Sequence, residues 1–328
     1  MKKTLIALAV LAASTASMAQ VTLYGVADVS VGGVDKAAGG LGLTNDKFQA
    51  IASNVLNNGN SRFGLRGSED LGGGLKANFN YEGGINIANG AGNTSGGQLF
   101  SRAANVQLAG GFGSLTAGRQ LTTSFFAVAA WELTGTANYS VVANQFGFGG
   151  VGPRDSAAVK YDTPKMGGFS VSAMFVPEGN AAYTAGTPAT AKGKYDLSAG
   201  YAAGPLAATL AYNKVDSSVE GTVVGASYNF GMVKVAASWT QLKDGAGNKA
   251  TEGYSLGASL PMGPWTFTAD MAQDTISRAA NSTDTDFVLE AKYALSKRTF
   301  VYGVYMMDGK GKTAADVSGY SLGLRHNF

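Results

Sequence analysis

The last ten residues, Gly319 to Phe328 (GYSLGLRHNF), constrain the fold more than any other stretch. Tyr320, Leu322, Leu324, His326 and Phe328 fall on one face of an extended strand, and Ser321, Gly323, Arg325 and Asn327 fall on the other. One face is apolar, the other polar, and the strand stops on an aromatic. A soluble sheet can alternate in this way. So can the closing strand of an outer-membrane barrel, whose apolar face meets lipid and whose polar face lines a lumen. The rest of the chain has to separate the two.

At the other end, Met1-Lys2-Lys3 is a basic start, Thr4 to Ala13 an apolar run, and Ser17 and Ala19 are small residues two apart. The pattern predicts a signal peptide over 1–19, cleaved between Ala19 and Gln20, and a single domain over 20–328. The apolar run is too short to span a bilayer as a helix, and no later stretch approaches eighteen consecutive apolar residues, so helical membrane spans are not expected. Mean hydropathy near zero is what a wall alternating apolar and polar residues gives. Cysteine is absent, which excludes a disulfide framework and cysteine metal sites. Net charge is +3, or +1 without Lys2 and Lys3, too small a bias for a nucleic-acid partner.

From Val21 onward one unit recurs: an alternating run, a tight glycine-rich turn, a second run and a longer polar loop. The first run puts Leu23, Ala27, Val29 and Val31 on one face and Asp28 and Ser30 on the other. Ser61 to Asp70 sends Phe63 and Leu65 outward and Arg62 and Arg66 inward. After Leu71-Gly72-Gly73-Gly74, the next strand sends Phe79 and Tyr81 outward and Asn78, Asn80 and Glu82 inward. Later turns fall at Gly110-Gly111-Phe112-Gly113, Ala203-Gly204-Pro205, Phe230-Gly231, Pro261 to Pro264 and Ser296-Lys297-Arg298. The count reaches sixteen strands, even and alternating short and long connections, as an antiparallel transmembrane β-barrel requires. A barrel of that size is wide enough to hold water. Tyr161, Phe169, Tyr228, Phe230, Trp265 and Tyr293 recur near turns, where an interfacial aromatic girdle would sit.

SRFGLRGSEDLGGGLKANFNYE at Ser61 to Glu82, GGFGSLTAGRQ at Gly110 to Gln120, YALSKRTFVYG at Tyr293 to Gly303 and YSLGLRHNF at the end, with VTLYGVADVS at Val21 to Ser30, resemble the Gram-negative general diffusion porins of the beta-proteobacterial type. The motifs spread over nearly all of the chain after residue 20. The resemblance implies an outer-membrane homotrimer of all-β, sixteen-stranded barrels in contact with lipid and lipopolysaccharide. Each barrel would be a passive channel for small hydrophilic solutes and ions, without a cofactor.

One connection breaks the rhythm. More than thirty residues separate Gln120 from Arg154, and they include Phe125, Phe126, Val128, Trp131, Leu133, Tyr139, Val141, Val142, Phe146 and Phe148, too apolar for a solvated linker. The resemblance implies that this third loop folds into the lumen and narrows it. It also implies a ladder of basic residues opposite the loop, carried over to Arg62, Arg102 and Arg154. Alternation puts Arg62, Arg154 and Lys160 inward, but it groups Arg102 with Ala104, Val106 and Leu108, which face out. Arg119 is open between the two faces. Glu132 is the one acid in the long loop before Asp155. Pore-lining candidates are therefore Arg62, Arg102, Arg154, Lys160 and Glu132, with moderate anion preference expected, and Phe328 is the candidate for closing the barrel.

Other classes fit less well. An outer-membrane enzyme needs a nucleophile with a base, or paired carboxylates, near a rim. His326 is the single histidine and lies in the closing strand, and Asp284 and Asp286 read as solvated loop acids. With one histidine and no cysteine, no metal site is expected, and no glycine-rich stretch precedes a helix as a phosphate loop would. An adhesin or structural barrel would share the wall but keep its lumen plugged. A sugar-specific channel would want inward aromatics, whereas most strand aromatics here fall outward.

Overall fold

A computed structural model describes residues 20–35, 47–93, 97–179, 192–276, 284–309 and 317–328. The predicted signal peptide and Ala19 lie outside them. Sixteen strands form the wall: β1 Thr22–Val34, β2 Arg62–Gly72, β3 Leu75–Ile85, β4 Ala103–Gly110, β5 Gly113–Leu121, β6 Arg154–Asp162, β7 Phe169–Val176 and β8 Lys194–Ala203. They continue as β9 Leu206–Val215, β10 Glu220–Asn229, β11 Lys234–Lys243, β12 Lys249–Met262, β13 Trp265–Asp274, β14 Asp284–Ala294, β15 Thr299–Asp308 and β16 Val317–Asn327. Each pairs antiparallel with its neighbour in sequence, and β16 returns to β1 with Leu324 opposite Val29, so the sheet closes. Short strands Gln49–Ile51 and Gly92–Asn93 add to the wall's inter-strand loops.

Closure removes the edges that an open sheet would expose to lipid, where each unpaired backbone group costs several kcal/mol. At the seam Phe328 and Gly25 exchange reciprocal backbone hydrogen bonds of 3.0 Å. The Phe328 ring lies where a side chain on residue 25 would be, so only glycine fits there. The side-chain period of two sets the faces: Leu322 is 67% exposed while Ser321 beside it is 2%. Across the wall the apolar row is outside, and Asp28, Asp196, Asn213, Thr240, Asp270 and Glu290 form part of the buried inward row. Gly72, Gly73 and Gly74 all take positive φ in the β2–β3 hairpin, which L side chains rarely adopt.

The apolar core lies between the long loop and the inner wall. The loop holds two short helices, α1 Thr123–Ala129 and α2 Val141–Phe146. Thr122 caps α1 by accepting from Phe125 N, and Ser140 caps α2 by accepting from Ala143 N, each cap contributing about 1 kcal/mol. Gly147, at φ 55°, ends α2 in the left-handed region. Val128, Trp131, Tyr139, Val141, Val142 and Phe146 are buried with Ala211, Val223, Ala236, Ala272 and Val288 of the wall. Full burial of a Val or Phe side chain stabilises by about 1.5–3 kcal/mol, and these side chains together hold the loop against the wall.

One strand start and one register differ from the sequence expectation. Alternation groups Arg102 with Ala104, Val106 and Leu108, but the fourth strand begins at Ala103, so Arg102 precedes it and is freed from that alternation. In β6 the pairing with β5 slips between Gly118 and Gln120, opposite Ala158 and Asp155. The extra residue lies in β6, where Ala157 has φ 53°. Simple alternation from Lys160 back to Arg154 therefore does not hold.

Candidate functional site

The strands β2, β3, β6 and β16 and the residue before β4 bring four arginines and one glutamate to a cavity of about 540 Å³. Glu82, inward on β3, is the hub. Its Oε1 accepts from Arg102 Nε at 2.6 Å, and its Oε2 lies 3.4 Å from Arg62 Nε. Tyr24 Oη donates to Glu82 Oε2 at 3.1 Å and to Asn80 at 2.7 Å. Arg102 is positioned by its own backbone N–H, which donates to the Glu82 carbonyl at 3.0 Å. Arg154 Nε donates to the Arg102 carbonyl at 3.0 Å. The bulge in β6 thus does not take Arg154 away from the cluster.

Arg325, from the closing strand, is the fourth cation. Its Nη1 donates to Asn58 Oδ1 at 2.7 Å, and its guanidinium lies 5.9 Å from the centre of the Phe300 ring. A side chain at Gly59 would sit 2.8 Å from Arg325 Nη1, so the glycine leaves room for the guanidinium. The segment that carries Asn58 and Gly59 is held inward by Asp28, which accepts from Gly59 N at 3.0 Å and from Tyr302 Oη at 2.7 Å. The long loop's share of the lining is neutral: Thr136, Ala137, Asn138 and Asn144. Four guanidinium groups face one carboxylate, a local excess of three positive charges where the whole chain carries +3.

The other candidates part company. Lys160 lines a smaller neighbouring cavity of about 210 Å³ with Glu82, Arg102 and Arg154. Its ammonium is 3.3 Å from Asp162 and 4.5 Å from the centre of the Phe126 ring, so its charge is largely compensated. Arg119 reaches the arginine side too, donating to the Ser101 carbonyl and to Ser156 Oγ, and it lines a third cavity with Arg102 and Arg154. Glu132 is not brought to the cavity. It is buried and accepts from Thr134 Oγ1 at 2.6 Å, Thr136 N at 2.6 Å and Ser140 Oγ at 2.9 Å, a clip that folds the loop on itself.

The long loop is fastened to both sides of the inner wall. Ser124 N and Oγ donate to Asp196 on β8, and Trp131 Nε1 donates to Thr209 on β9 at 3.1 Å. On the far side Tyr139 Oη donates to Glu290 on β14, and Lys292 Nζ donates to the Thr134 carbonyl at 3.0 Å. Burial, with Glu290 next to it, pushes the Tyr139 phenol well above its ordinary value, so it stays protonated and able to donate. Three glycines seat the loop: a side chain at Gly225 would collide with the Trp131 indole, at Gly253 with Phe146, and at Gly221 with the Gly149 carbonyl.

Sequence reasoning put Glu82 on the inward face but not among the arginines, because the β2–β3–β4 register that sets Arg62 opposite Gly84 and Glu82 opposite Ala103 is not written in any one segment. It missed Arg325, although the polar row of the last strand already held it. The acids Asp284 and Asp286 of β14 and Asp308 of β15 stand together, their carboxylate oxygens within 4.8 Å of one another.

Comparison with known proteins gives one answer at every level. A family model described as Gram-negative porin matches residues 4–327. Outer membrane porin protein 32 of Delftia acidovorans is 36% identical over 366 residues, covering all of both chains. Among solved structures, an anion-selective porin from Comamonas acidovorans superposes with a TM-score of 0.75 at 26% identity, over 95% of this chain and 100% of that one. A trimer form of OmpT of Vibrio cholerae superposes at 0.65 with 15% identity, over 94% and 99%, a likeness of fold alone.

Proposed function

The chain belongs to the Gram-negative porin family and is an outer-membrane diffusion channel, and from that premise we propose that it is a moderately anion-selective one. The observation that carries this is the ratio of four arginines to one glutamate on a lining that is otherwise uncharged. A narrow aqueous passage between low-dielectric walls focuses the field of the charges that line it, so the local excess outweighs the small net charge. The long loop, fastened from β8 to β14, supplies a neutral share of the lining and narrows the passage. Small hydrophilic solutes pass by size, and anions pass preferentially. The homotrimer is part of the same reading and rests on membership of the family. The reading gives the chain no catalytic role: His326 is hydrogen-bonded to Thr299 and stacked on Phe328 at the outer face of the wall.

Zero-current potentials across a planar bilayer in a potassium chloride gradient test the proposal. Wild-type channels should settle toward the chloride potential, and Arg62→Gln with Arg154→Gln should move the potential toward potassium at unchanged yield. A wild-type channel that prefers potassium in dilute salt would overturn it. Preference should weaken as salt rises, since the Debye length falls from about 10 Å at 0.1 M to about 3 Å at 1 M.

A further inference from the structure

On the outside of the wall the apolar surface is not uniform. A groove of about 540 Å³ crosses from β13 to β1, lined by Trp265, Ala291, Val301, Gly303, Leu322 and Leu324. Its floor follows from register: Ala291 lies opposite Gly303, and Gly303 opposite Leu322, so two adjacent strands present almost no side chain at one level while their neighbours project. A side chain at Gly303 would come within 3.1 Å of Leu322 Cδ2, so filling the floor needs only the far end of one leucine to move.

The groove has a chemically distinct end. Going toward the short β14–β15 turn, Val301 and Leu324 are followed on the same outward face by Thr299 and His326, paired in register and hydrogen-bonded at 2.8 Å. Just beyond them, the turn carries exposed Lys297 and Arg298, neither of which forms an ion pair among the described residues. Short turns of such barrels lie on the periplasmic side, where the facing leaflet is phospholipid. Trp265, whose ring packs 4.8 Å from that of Tyr293, marks the headgroup level at the same end.

We propose that this groove is a binding site for one anionic phospholipid, an acyl chain lying over Ala291 and Gly303 and the phosphate held by Lys297 and Arg298. An apolar trough ending in a hydroxyl, an imidazole and two unpaired cations matches a molecule that is apolar along its length and negative at one end. The charge at the turn is what selects this occupant over a neutral lipid or an apolar face of another copy.

The experiment uses the full-length protein extracted in a mild detergent, stripped of lipid and offered phosphatidylglycerol or phosphatidylcholine, with bound lipid counted by native mass spectrometry. Wild type should retain one phosphatidylglycerol per chain and favour it over phosphatidylcholine. Gly303→Leu, which fills the floor, should lower retention roughly tenfold, the weight of about two buried methylenes. Should that variant not assemble, Ala291→Leu fills the same floor from the next strand. Lys297→Gln with Arg298→Gln, both on an exposed turn, should abolish the preference for phosphatidylglycerol while leaving assembly intact. Wild type retaining no lipid, or the filled and uncharged variants binding as wild type does, would overturn the proposal. So would loss of the assembled oligomer in Gly303→Leu without lipid bound to wild type, which would assign the groove to a subunit contact.

Discussion

Glu82 and Arg102 are held together twice, side chain to side chain at 2.6 Å and Arg102 N–H to Glu82 carbonyl at 3.0 Å. The acid therefore sits inside the basic cluster by construction, spacing the guanidinium groups of Arg62 and Arg102 while cancelling part of their field. Glu82→Gln should strengthen anion preference. In a water-filled passage a unit charge about 6 Å from an ion's path is worth about 0.7 kcal/mol, roughly a threefold change in local anion concentration. Reversal potentials of the single variant in dilute salt check this. An unchanged potential would place Glu82 outside the field that ions experience.

Removal of Thr134 to Gly147 takes away α2, Tyr139 and the loop's neutral share of the cavity lining while leaving α1 on Asp196. Single-channel conductance should rise and larger uncharged solutes should enter liposomes. Unchanged conductance from an intact oligomer would place the constriction elsewhere.

Tyr139 ties the loop to β14, and its raised pKa sets the direction of a pH effect. A group whose folded pKa lies above the unfolded value, here 10.0, contributes stability that is fully present below that value and is lost as pH rises beyond it. Conductance and loop proteolysis should therefore be constant through neutral pH and change only above pH 10. Tyr139→Phe should loosen the loop at every pH, by about 1–3 kcal/mol for the buried acceptor left short of a donor. A titration step in wild type well below pH 10 that disappears in Tyr139→Phe would contradict this.

Deleting β16 exposes two edges at once, because its residues pair with β1 from Gly319 to Asn327 and with β15 from Val317 to His326. A chain ending at Val317 should not insert, since unpaired backbone groups in lipid cost several kcal/mol each. Outer membranes containing a normal amount of heat-modifiable oligomer from this chain would refute the expectation.

The wall was legible from sequence because lipid on one side and water on the other impose a period of two that every strand repeats locally. Leu322 and Ser321 needed no knowledge of their neighbours to be assigned. The lining was less legible because it depends on which strands meet and where each begins. Arg102 resisted alternation because it lies outside the strand, whereas Arg154 reaches the lumen as alternation has it, although Ala157 puts an extra residue between it and Lys160. Arg325 joins the cluster only when β16 meets β1, and Glu132 leaves it because the loop turns back on its own hydroxyls and amides.

Gly221, Gly225 and Gly253 give the inner wall the negative shape of the loop it receives. Mould and casting are encoded more than seventy residues apart, so neither can drift alone: a larger residue in any of the three seats would eject the tryptophan, the phenylalanine or the backbone above it. Grafting residues 122–153 into another barrel of the same strand number would consequently transfer the constriction only if these three glycines travelled with it.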